Sequence, residues 1–256
     1  MRRLVAAALS VSLLAAVTPA ARAAVCSFEP QGEGHVAEII DGRSFRLDDG
    51  REIRLAGIEL VATDDKAART AALAAAIKDK DVSLRGPDDT PDRYGRQTAF
   101  VFVTGSDLSV QAQLLALGAA LASPDVADKD CAGALMAAEA EARNAKKGTW
   151  AGPNVIKNAE STDDILAGIG RFTLVEGRVL SVRQAGAMTY LNFGRNWTRD
   201  FAATISRRMM PAVESTGITL KSLENRRIRI RGWVEAHPGP RIEVVRAGQI
   251  EVLSGN

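Results

Sequence analysis

The stretch HVAEIIDGRSFRLDDGREIRLAGI, residues 35–58, decides the fold of the first half of the chain. Residues 35–40 alternate loosely between apolar and polar and run into Asp41-Gly42, a hairpin-type turn signal. Residues 45–47 read as a second strand, Asp49-Gly50 as another turn, and 52–58 as a third strand. Outward from this meander, residues 67–77 are Ala-rich without a breaker and predict a helix, with Thr63 or Asp64 placed to cap it. Residues 82–85 and 98–103 supply two more strands, and 108–121 and 131–147 read as helices. Three strands, a helix, two strands and flanking helices match a five-stranded Greek-key barrel of the OB type. The fold class is therefore mainly β with flanking helices, α+β.

Residues 151–170 hold no sustained pattern and contain Gly152-Pro153-Asn154 and Asp163-Asp164, so they are expected as a linker. Strands are then expected at 172–183, 189–193, 201–206, 226–235 and 241–253, with a short helix or loop within 207–223. That is the OB order again and predicts a second OB-like barrel. The expected organisation is a leader at 1–23, a first domain at 24–150, the linker at 151–170 and a basic β domain at 171–256.

Compartment is written at the start of the chain. Arg2 and Arg3 precede an apolar run at 4–17, and Ala21-Arg22-Ala23 offers small residues where a signal peptidase cuts, before Ala24. The run is short for a membrane span, and the bulky Val25 before Cys26 argues against a lipoprotein site. The expectation is a periplasmic or secreted protein with no stable membrane insertion after leader cleavage. Cys26 and Cys131 are the only cysteines. In an oxidising compartment they suggest one disulfide closing a loop of about a hundred residues, worth roughly 4.7 kcal/mol in the chain-entropy model. Two buried free thiols are the alternative. Thiolate metal binding is disfavoured, because the two histidines, His35 and His237, sit at no ligand spacing.

The formal net charge of +2 conceals two opposite halves. Residues 24–170 carry 16 Lys and Arg against 24 Asp and Glu, whereas 171–256 carry 14 against 7. A phosphodiester ligand is repelled by the first field and drawn to the second; equally, the halves attract each other. In the second half Arg227, Arg229 and Arg231 alternate with Ile228 and Ile230, and Trp233 continues the arginine face. Such a face can bind a single strand through cations and stacking aromatics, with Tyr190, Trp197, Arg195 and Arg199 extending it. The other reading is a solvated strand whose arginines cover Trp233 by cation–π contact.

Four pieces of the first half resemble the staphylococcal nuclease-like (thermonuclease) family, in that family's order. VAEIIDGRS at 36–44 resembles its first strand and turn, RLAGI at 54–58 its third strand, Asp92-Arg93-Tyr94-Gly95-Arg96 its D-[RK]-Y-G-R element in full, and Gly148-Thr149-Trp150 its closing G-x-W. The likeness covers about 35–150. It implies calcium-dependent cleavage of DNA and RNA, in which carboxylates hold the ion, a glutamate helps activate water and two arginines stabilise the phosphate charge. By position those arginines are Arg54 and Arg96. The carboxylates diverge. Arg43 stands where D-G-D-T places its second aspartate, Glu59 opens the D-x-P-E element, and Ala62 replaces its glutamate. Asp41 and Glu59 are what remains for a metal.

An arginine in place of a ligand carboxylate reverses the local charge by two units. Near a would-be calcium it opposes the ion by several kcal/mol even at an effective dielectric of about 20. The expectation is that Arg43 takes the cation's place and pairs with Glu59. Asp64 and Asp65 fit helix capping better than a relocated base. Arg54 and Arg96 have a second reading as partners of Asp41, Glu59 or Asp92, and Tyr94 and Trp150 are expected in the core.

Three functions follow. The first is a binding or scaffolding module with impaired hydrolysis and no cofactor, whose partner is single-stranded nucleic acid or another polyanion. The second is a working calcium nuclease rebuilt on Arg54, Arg96 and Glu59. The third is an envelope protein-interaction module indifferent to nucleic acid.

Overall fold

The computed structural model describes residues 26, 28–61 and 66–253. The expected leader therefore lies outside the described residues, as do Ala62, Thr63, Asp64 and Asp65. Strands β1 (Pro30–Ile39), β2 (Ser44–Leu47) and β3 (Glu52–Leu55) form the expected meander. Short β4 (Ile58–Glu59) leads towards α1 (Lys66–Ile77), followed by β5 (Asp81–Arg85) and β6 (Arg96–Val103). Strands β1, β2, β3, β6 and β5 close into a barrel in that order, with β3 and β6 parallel. Alternation along β3 and β6 sends Ile53, Leu55 and Ala99 inward and leaves Arg54 and Thr98 outside.

The helix expected over 108–121 is shorter. Helix α2 (Val110–Ala116) starts on a Ser109 cap and stops because Gly118 turns the chain at φ +68°. Leu121–Ala122 then forms β7, antiparallel to β4. Helix α3 (Lys129–Asn144) opens on Asp128, whose carboxylate accepts from the Cys131 amide at 2.7 Å. Cys131 is disulfide-bonded to Cys26 across 105 residues.

Residues 151–170 are more than a linker. They carry β8 (Ile156–Asn158), parallel to the next strand, and α4 (Thr162–Leu166), whose Ile165 is fully buried in the second core. A three-residue strand and a single helical turn are too short to register as periodicity. Beyond them come β9 (Phe172–Arg178), β10 (Ser181–Ala185), β11 (Met188–Asn192), β12 (Ala202–Ser206), α5 (Met210–Glu214), β13 (Arg227–His237), β14 (Gly239–Val244) and β15 (Ile250–Val252).

The strand expected over 172–183 is one stretch bent at Val179-Leu180. The Val179 amide donates to Arg226 O at 3.0 Å and the Leu180 amide to Asn192 O at 2.8 Å, on opposite neighbours. The sheet runs β10-β11-β12-β14-β13-β9-β8, so its path leaves from one half of this bent strand and returns to the other. Five strand positions thus retain the OB order, including the parallel pair β12/β14. Two strands are additional: β8, and β15, split from the expected 241–253 strand by a turn at Ala247–Gln249.

The two units share an apolar seam. Val61, Leu121, Ala142 and Trp150 of the first pack with Phe172 and Leu174 of the second. Trp150 is in the core as expected. Among the described residues no helix is long and apolar enough to cross a membrane.

Candidate functional site

The D-G-R turn after β1 is built on its own side chains. Asp41 Oδ1 accepts from the Arg43 amide at 2.8 Å, an Asx-type turn. Gly42 admits α1, since a Cβ there would lie 2.9 Å from the Arg69 Cβ. The Arg43 side chain is directed inward and is only 7% exposed. Its guanidinium donates to Ile58 O at 2.6 Å and contacts Glu59 Oε2 in an ion pair. Glu59 is held against β7, opposite Leu121. Burial pushes its carboxyl above the usual range, while the charge and hydrogen bond of Arg43 pull it back. From α1, Arg69 donates to Val61 O, a second guanidinium close to this turn that the sequence pattern gave no reason to single out.

Arg54 lies half-buried on β3, between Ser44 of β2 and Thr98 of β6. Arg96 begins β6 opposite Glu52, two positions from the level of Arg54. Its guanidinium is forked onto Asp92 Oδ2, at 3.0 Å from Nε and 2.8 Å from Nη2. Asp92 Oδ1 also accepts from the Tyr94 and Arg96 amides, at 2.8 and 3.1 Å. The Arg96 side chain and these amides hold the Asp92 carboxyl at about 2. The D-R-Y-G-R element is therefore a self-bonded turn whose Gly95 adopts φ +79°. One expectation is corrected here. Tyr94 is not in the core but 65% exposed, projected from the turn with Arg93 and Arg96 over its ring.

The arginine strand of the second half is also rearranged relative to expectation. Arg227 and Trp233 reach solvent, but Arg229 and Arg231 are buried. Arg229 bridges Glu176 and Glu251. Arg231 reaches into the first unit, where Nη1 and Nη2 each lie 3.0 Å from the Glu139 carboxylate and Nη1 donates to Ala122 O at 2.8 Å. Two of the four expected face residues thus have no surface for a nucleic acid. Period-two alternation showed which side of β13 the arginines occupy, not that α3 covers it. Trp233 meets Phe172 edge to face rather than lying under an arginine. Tyr190 stands apart on β11, opposite Arg183, in a separate groove that Trp197 also lines.

Among the described residues, no group of three or more His, Cys, Asp or Glu is gathered as a metal site. The closed barrel, the outward Arg54 and the D-R-Y-G-R turn define the class: an OB-type barrel of the nuclease kind. The family model for staphylococcal nuclease homologues matches residues 53–152, and the first unit is accordingly a staphylococcal nuclease-like domain. No curated protein matches the chain.

Proposed function

We propose that this is an exported protein whose nuclease-like barrel has lost phosphodiester hydrolysis and serves as a nucleic-acid- or phosphate-binding or scaffolding module. The observation that carries the reading is the inward Arg43 on Glu59. Calcium asks for several oxygen ligands around one point. Here one of the two remaining carboxylates is taken by a guanidinium, and the other, Asp41, caps the Arg43 amide. These residues do not fit the ion. Arg96, bound to Asp92, is likewise committed to its own turn. Export is supported by the basic and apolar start of the chain and by a disulfide of the kind that persists in oxidising compartments.

The test is incubation of the mature protein with single-stranded DNA and RNA across a calcium titration, with Arg96→Ala as the control. The expected result is no cleavage and no heat of calcium binding. Calcium-dependent cleavage that disappears in Arg96→Ala establishes instead a working nuclease rebuilt on Arg54, Arg96 and Glu59.

A further inference from the structure

The basic character of the second half does not reside on β13, where the arginines are neutralised, so another surface must express it. The outer face of β10, β11, β12 and β14 holds a groove of about 1050 Å³. Its rows follow the pairing register. Arg183 lies opposite Tyr190, and Asn192, Ala202 and Arg241 lie side by side on three strands. With strands about 4.8 Å apart, Arg183 and Arg241 stand at two edges of a floor roughly 14 Å wide. Ser181, Ala185 and Ala202 keep that floor low.

One wall is the loop between β11 and β12, which carries Arg195 and Trp197. Trp197 is 73% exposed, the most exposed of the large hydrophobic side chains among the described residues. The loop presenting it is internally fixed. Asn196 O accepts from the Arg199 and Asp200 amides at 3.1 and 2.7 Å, and Asp200 Oδ2 accepts from the Asn196 amide at 2.8 Å. The rings of Phe193 and Phe201 close its base at 5.1 Å. Gly194 is required beneath it, since a Cβ would come within 2.0 Å of the Asp200 carboxylate. Asp200, the one carboxylate in the lining, is thus engaged by the loop's own backbone, while Arg183 and Arg195 are exposed. Arg241 shares its charge with Glu235 at 3.4 Å.

We infer that this groove binds single-stranded nucleic acid, with Trp197 and Tyr190 stacking bases and Arg183, Arg195 and Arg241 holding the phosphate backbone. An exposed Trp197 and a half-buried Tyr190 among cations on an OB sheet face suit a ligand that alternates flat apolar rings with negative charge. An uncharged chain leaves the arginines unused, and a polyanion without bases leaves Trp197 unused. The inference deepens the binding reading above by moving the site to the second unit, and it holds whether or not the first barrel cleaves.

The experiment uses the whole mature protein in a metal chelator with a labelled oligothymidylate of about 12 nucleotides, within the site size of one OB fold. Affinity is followed by fluorescence anisotropy over a salt series. The expected result is binding that weakens linearly in log salt, by about 0.7 in slope per phosphate contact. Trp197→Ala lowers affinity about tenfold at fixed salt, and Arg183→Gln with Arg195→Gln flattens the slope. All three changes are at exposed positions, and unchanged thermal unfolding confirms that the variants fold. The inference is overturned by absence of binding at low salt, by affinity unmoved in Trp197→Ala, or by heparin displacing the oligonucleotide equally well from wild type and from Trp197→Ala. Because metal is chelated, a failure here is distinct from a failure of the non-hydrolytic reading, which is decided by the cleavage assay.

Discussion

At the scale of single residues, two ion pairs on the first barrel differ in solvent, and their consequences differ accordingly. Arg43 and Glu59 are both withdrawn from water. Removing one partner strands the other's charge, so Arg43→Ala is expected to cost about 3 kcal/mol in urea unfolding. A loss near zero would mean that the pair is effectively solvated. Asp92 and Arg96 are wetter, and their signature is pH. The Asp92 carboxyl titrates at about 2 in the folded chain, below an unfolded value near 3.9. Its stabilising contribution is complete above the unfolded value and lost as pH falls towards the folded one. Asp92→Asn should therefore remove part of the acid-side slope of the melting temperature between about pH 4 and 2, and leave the profile above about pH 5 parallel to wild type. An unchanged acid limb would contradict the assignment.

At the scale of elements, the G-x-W motif has a packing explanation. Gly148 and Gly118 face each other, with φ of +52° and +68°. A Cβ on Gly118 would lie 2.2 Å from Lys147 O, and one on Gly148 would lie 2.4 Å from Leu117 O. The Thr149 amide donates to Gly118 O at 2.9 Å, and this contact seats Trp150 in the seam between the units. Gly118→Ala combines a clash with backbone and a left-handed conformation. It is expected to destabilise by about 2 kcal/mol or more. Gly50→Ala, at φ +88° but with open space around it, should cost only about 1 kcal/mol. Equal losses in chemical denaturation would show that conformation, not contact, decides both sites. The barrel strands and hairpin turns, that at Gly50 among them, were legible from alternation and from Asp-Gly signals. The end of α2, strand β7 and the content of 151–170 were not, because a two- or three-residue strand and a single helical turn have no periodicity of their own and no Asp-Gly turn beside them.

For the whole molecule, the opposite charges of the halves meet at one buried point. Glu139 of α3 is fully buried and accepts from the Ala122 amide at 2.7 Å, from Arg143 at 3.1 Å and from both terminal nitrogens of Arg231. Ala122 is paired with Ile58 next to Glu59, so the seam and the Arg43–Glu59 pair share the β4/β7 ladder. Arg246 and Asp125 add a pair at the rim. Arg231→Met leaves the Glu139 charge short of its main partner inside protein. It should destabilise by about 3–5 kcal/mol and turn a single unfolding transition into two. Adding Glu139→Gln keeps an acceptor for Ala122 while removing the stranded charge, so part of that loss should return. Calorimetry of the three proteins distinguishes this from a purely local role. A single unchanged transition in Arg231→Met would rule out Arg231 as a coupling residue between the units.

The sequence by itself determined both β units, the cysteine pair available for a disulfide and the nuclease-like motifs, because alternation, turn residues and motif spacing are local properties of a chain. Only the tertiary structure decided what each arginine does. Arg43 faces Glu59, Arg96 is held by Asp92, Arg231 crosses to Glu139, and Arg183 and Arg195 are exposed in the groove that Trp197 also lines. A guanidinium carries the same charge in every case. Whether it neutralises a buried carboxylate or remains free for a phosphate depends on which surface covers it, and contacts between residues far apart in the chain decide that.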